Sequence, residues 1–138
     1  MKIELVLIFL SLATAAEGAE VTVSAGEFHG GKHAPSDTAS GSAAIVKLDS
    51  GAYELRLGDN FKTTPGPDLF VYLSAAVDPR NDAAITGNAF ANAGKLASPL
   101  GKQNLSLPID FDPTKFKSVA IWCKKFSILF GAAALKEN

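Results

Sequence analysis

SVAIWCKKFSILFGAAA, residues 118–134, is the stretch whose reading decides the fold. Two apolar, β-preferring runs, 118–123 and 127–134, flank Lys124-Lys125-Phe126. Runs this short, rich in Val, Ile, Phe and Trp and split by charge, read as a hairpin of two central strands. Outward from it, Leu69 to Leu73 (LFVYL) is another continuous apolar run, as expected of a strand covered on both faces. In Tyr53-Glu54-Leu55-Arg56-Leu57 apolar and charged residues alternate, the period of a strand with one buried face. Residues 41–48 precede it across an Asp49-Ser50-Gly51 turn, so these two runs read as a second hairpin.

Between these runs, residues 60–68 hold two prolines around Gly66 and form a structured loop; its Thr63 to Asp68 part is expected to be rigid, with Asp68 accepting hydrogen bonds from nearby backbone groups. Residues 74–96 show no clean period and read as an irregular connection holding one short strand. Leu105 and Leu107 mark a further strand, ended by Pro108. Asp112-Pro113 starts a single helical turn, with Asp112 as cap. The fold class is therefore all-β: a single compact β-sandwich or barrel-like domain with short helical turns. Tyr53, Leu55, Leu57, Val71, Ile121 and Phe130 are expected in one core.

The chain opens with MKIELVLIFLSLATAAEGA, residues 1–19. Lys2, an apolar run and a close in small residues are the marks of a cleaved signal peptide, leaving 20–138 as the domain. The expected location is periplasmic or secreted. No later segment approaches the roughly 20 apolar residues of a membrane helix, so no membrane span is expected in the mature chain. The 13 basic and 14 acidic residues nearly balance, which gives no electrostatic reason to expect nucleic acid as a partner.

Cys123 is the sole cysteine, so no internal disulfide can form. In an exported chain such a thiol is buried and inert, paired with another molecule, or kept for its chemistry. Alternation puts it on one face with Val119 and Ile121, while Ala120 and Trp122 take the other. Its place at a strand end before two lysines favours partial access and a stabilised thiolate. His29 and His33 lie in Gly26-Glu27-Phe28-His29-Gly30-Gly31-Lys32-His33. The glycines between them argue against a helix, so both read as loop histidines facing water unless the fold brings them to Cys123. A blue-copper set would need a His after the Cys, c-type haem a Cys-x-x-Cys-His, and a dithiol centre a second Cys. All are absent, as are the common hydrolase motifs, and no metal site is expected. Noncovalent haem on Cys123 or a histidine, or a bare redox thiol, remain as candidates.

Three blocks carry a resemblance. They are Leu55-Arg56-Leu57 with Asn60-Phe61, then residues 64–74 (TPGPDLFVYLS), then residues 117–127 (KSVAIWCKKFS) with Leu129-Phe130-Gly131. Together they resemble the DM13 (DM-thirteen) electron-transfer domain family, from about Gly26 to Leu135. The resemblance implies a β-rich extracellular or periplasmic domain with a role in electron transfer. It also implies a functional cysteine at Cys123, acting as a bare thiol or as ligand to a group such as haem. Any cytochrome-like redox partner would be a separate protein. The rival expectation is a noncatalytic cell-envelope binding or assembly module in which Cys123 is merely core.

Overall fold

The structure is a computed structural model and describes residues 19–32 and 36–138. The expected signal peptide, except Ala19, and His33 lie outside the described residues. Eleven strands follow in chain order: β1 Val21–Gly30, β2 Ala39–Ser40, β3 Ser42–Lys47, β4 Tyr53–Leu57, β5 Lys62–Thr63, β6 Leu69–Ser74, β7 Phe90–Lys95, β8 Gln103–Ser106, β9 Ser118–Cys123, β10 Ile128–Ala134 and β11 Lys136–Glu137. Among the described residues the helical elements are one short helix, α1 Asp82–Thr86, and a 3₁₀ turn at Pro113–Lys115. The main sheet runs β7-β6-β9-β10-β1-β3-β4-β8, with β11 added on β1. It curls into a nearly closed, barrel-like form, as expected of the all-β class.

Both expected hairpins are present. β9 and β10 pair from Ile128↔Cys123 to Ala134↔Ser118, and β3 and β4 pair from Lys47↔Tyr53 to Ala43↔Leu57. Gly51, at φ 91°, supplies the left-handed residue that the second turn requires. Inside the barrel, Leu55, Leu57, Val71, Ile121 and Phe130 share one cluster with Phe61, Leu73 and Val119, and Tyr53 packs partly buried against it. The expected core is thus one core. Asp112 caps the 3₁₀ turn through its Oδ1, which accepts from Thr114 N at 2.9 Å, as its sequence position implies.

Several elements depart from the expectation. β1 is the longest strand, although its run was not singled out; Val21 and Val23 carry its β-preference. Within the loop after β4, Lys62–Thr63 forms a short ladder with Ala39–Ser40. The irregular 74–96 segment contains β7 but also α1. There Asn81 Oδ1 accepts from Ala84 N at 2.9 Å, a side-chain cap that starts a helix too short to show a period.

Neighbouring strands of the main sheet are antiparallel, so its connections sort into two ends. Residues 31–32 and 36–41 and loops 58–68, 96–102 and 124–127 gather at the end where β9 terminates in Cys123. The 48–52 and 107–117 connections lie at the other end. Residues 75–89 leave that second end and fold back over the outer surface of β9, β10 and β1, which gives this part of the sheet two buried faces. Ile85 of α1 clusters there with Tyr72, Ala120, Trp122, Leu129 and Ala132.

Candidate functional site

Cys123 is fully buried, at 0 % exposure, so the partial access expected from its position is corrected. The reason is tertiary: β9 lies between β6 and β10, and Cys123 is in register with Leu69 on one side and Ile128 on the other. Its face is the one it shares with Val119 and Ile121, as alternation requires, and all three belong to the inner cluster. Lys124 and Lys125 are exposed one residue later, because the strand has already left the barrel.

A turn covers Leu69, the register partner of Cys123. Gly66 lies against Leu69 and Phe130, and a methyl group at Gly66 would sit 3.0 Å from Leu69 Cδ2 and 3.1 Å from two Phe130 ring carbons. The turn is fastened on both flanks. Thr64 N donates to Thr38 O at 2.9 Å, Thr63 Oγ1 to the same carbonyl at 3.0 Å, and Thr63 N to Pro99 O at 2.9 Å. The expected rigidity thus has a bonding basis. The expected role of Asp68 is met by a different atom: its main-chain carbonyl accepts from Lys124 N at 3.0 Å, while its carboxylate lies 3.4 Å from Lys95 Nζ.

His29 is a strand residue rather than a loop residue, and it is half-buried. It pairs with Ala132, a member of the outer cluster, so it faces outward from β1 while Cys123 faces inward from β9, two strands away in the sheet order. The fold therefore does not bring them together. Nε2 lies 2.7 Å from Asp78 Oδ1, and Nδ1 lies 2.8 Å from Gly30 O. Both ring nitrogens are thus engaged with oxygens of the protein itself. The bond from Arg80, then that from His29, holds the Asp78 carboxyl below its ordinary 3.8. Among the described residues no group of three or more His, Cys, Asp or Glu is placed to hold a metal ion.

Haem does not fit these residues as they are packed. Small-molecule sites enclose about 300–1,000 Å³. The cleft bordering Leu69, between residues 65–67 and 95–99, holds about 150 Å³, and Cys123 does not line it.

On the outer face the residue after each inner one builds an aromatic group that the sequence reading missed. Trp122 is 4 % exposed and stacks at 6.0 Å on Tyr72, which stacks at 4.6 Å on Phe90. Burial, with the charge of Asp68 second, pushes the Tyr72 phenol above its ordinary 10.0. Lys95 and Lys124 both place their ammonium groups over the Phe70 ring, at 5.6 and 5.1 Å. The registers Phe70↔Trp122 and Phe70↔Lys95 create this arrangement, and it could not be seen before β6, β7 and β9 were known to be neighbours.

Fold and site together define a small all-β, barrel-like domain with one fully buried thiol and, over its register partner Leu69, an anchored proline-glycine turn. Residues 27–135 match the family described as Electron transfer DM13, and the chain belongs to that family. Membership supports a redox-related role and, with it, a redox partner. No curated protein and no solved structure matches the chain. No described helix is long and apolar enough to cross a membrane.

Proposed function

We propose that the chain is an exported redox accessory domain, working in the periplasm or outside the cell beside a separate electron-transfer protein, with Cys123 as a sheltered bare thiol. The observation that carries this reading is the electron-transfer family match across 27–135, which contains the chain's sole cysteine. The charged, apolar and small-residue order of residues 1–19 supports export. Among the reversible reactions of a lone thiol, exchange with a disulfide needs no oxidant beyond that disulfide. The thiolate attacks one sulfur of a partner disulfide, a mixed disulfide forms, and the other sulfur leaves as thiolate; a second thiol later reverses the step. Sulfur must touch sulfur, so the turn over Leu69 and Phe130 has to open first.

The test is the intact protein purified from its native compartment. The expected result is a trimmed N-terminus, no visible absorption band, and a single mixed-disulfide adduct with oxidised glutathione under native conditions, lost in Cys123→Ala. A bound pigment would overturn the bare-thiol reading.

The full burial of Cys123 favours a second reading, a noncatalytic cell-envelope binding or assembly module in which the thiol fills core space. An adduct that forms only after denaturation would leave this second reading in place.

A further inference from the structure

We propose that the end of the barrel formed by loops 58–68, 96–102 and 124–127, where β9 terminates in Cys123, is a docking surface for a protein that presents a patch of carboxylates. That the partner is a redox protein rests on the reading above; the surface rests on charge and shape. Among the described residues, these loops, the segments 31–32 and 36–41 beside them and the adjoining end of β7 carry Lys32, Lys62, Lys95, Lys102, Lys124 and Lys125, all exposed, against Asp37, Asp59 and Asp68. The chain as a whole is nearly neutral, with 13 basic and 14 acidic residues, so this excess is a local feature. At the opposite end, connections 48–52 and 107–117 with the adjoining end of β3 carry Asp49, Asp110 and Asp112 against Lys47, Lys115 and Lys117, an even balance. The barrel is therefore polar along its axis, which orients an approaching acidic surface before contact.

Three of the lysines also rest on aromatic rings. Lys95 and Lys124 converge on Phe70, and Lys125 lies 5.8 Å from the ring of Phe126. A cation resting on a ring has given up part of its rotamer freedom, so less is lost when a carboxylate arrives. The same loops carry Leu100, 65 % exposed, Phe126, 58 % exposed, and the cleft of about 150 Å³ bordered by Pro65, Pro67, Leu96 and Pro99. An apolar centre inside a polar rim is the anatomy of a protein interface. An anionic bilayer fits less well: a membrane-seated face needs a broad apolar area, whereas here two exposed apolar side chains stand among interspersed aspartates. Leu69, the register partner of Cys123, lines the cleft, so a partner seated here stands one layer of side chains from the sulfur.

The test uses the isotopically labelled full domain titrated with an acidic b-type cytochrome that carries carboxylates around its haem edge. Amide shifts are expected in loops 58–68, 96–102 and 124–127, and they should collapse in high salt. The pair Lys124→Glu with Lys125→Glu should weaken association by about tenfold, while Lys115→Glu with Lys117→Glu and Cys123→Ala leave it unchanged. If the first pair disturbs the amide spectrum, the salt series on the unaltered protein decides. Shifts that are absent, spread evenly or centred on the opposite end overturn the proposal. So does binding to phosphatidylserine vesicles that depends on Lys124 and Lys125 while the cytochrome leaves no localised footprint. Because Cys123→Ala removes the thiol without touching the surface, loss of docking and failure of the redox reading are separately visible.

Discussion

Gly66→Ala is the perturbation that most directly probes how the thiol is sheltered. Carbon atoms rest about 3.5–4.0 Å apart, and the new methyl would stand 3.0 Å from Leu69 and 3.1 Å from the ring of Phe130. Both side chains are buried, so neither can swing into water, and the turn itself must lift by about half an ångström. Overpacking of this kind costs about 1–3 kcal/mol, and the stiffer unfolded chain returns about 0.4–1 kcal/mol. A net loss of about 1–2 kcal/mol corresponds to a 5- to 30-fold shift in an opening equilibrium. The assay is the rate of Cys123 labelling by an aromatic disulfide, followed at low denaturant and compared with global unfolding on the same samples. If the turn opens locally, labelling of the unaltered protein outruns global unfolding and depends weakly on denaturant, and Gly66→Ala speeds it by about 5- to 30-fold. Labelling that follows global unfolding in both free energy and denaturant slope would refute the reasoning and leave Cys123 a core residue.

Further outcomes follow from other contacts. Asp82 Oδ1 accepts from Leu129 N at 2.8 Å, where the β9–β10 register shifts, so Asp82→Ala should destabilise the fold by about 1–3 kcal/mol in a denaturant titration by leaving a buried N–H unpaired. The Asp78 carboxyl is held below its ordinary 3.8, so its contribution is present above that value and is lost as pH falls through the lower folded one. Urea midpoints measured from neutral pH to below 3.8 should show this acid loss diminished in Asp78→Asn; its partial exposure limits the effect to about 1 kcal/mol or less. Ile121→Ala, at a fully buried position, should cost about 2–5 kcal/mol with an unchanged denaturant slope. A cost near zero would show that the barrel collapses around the lost volume.

The strands of the central hairpin, the β3–β4 hairpin and the Asp112 cap were legible in the sequence because each rests on neighbours along the chain: alternation, β-branching, a turn residue or a capping side chain within reach. The division of β9 into a Cys123 face and a Trp122 face was legible for the same reason, since a strand alternates whatever surrounds it. Alternation could not say that both faces would be covered. That was decided by β6 and β10 closing on either side and by residues 75–89 folding back over the outer surface, contacts between segments far apart in sequence. The same long-range geometry set His29 facing away from Cys123, gave it Asp78 as partner, and gathered six scattered lysines at one end of the barrel. Local patterns determine which segments become strands because those energies act between near neighbours. Access to a thiol and the assembly of a charged surface depend on which strands meet in space, and only the tertiary structure decided that.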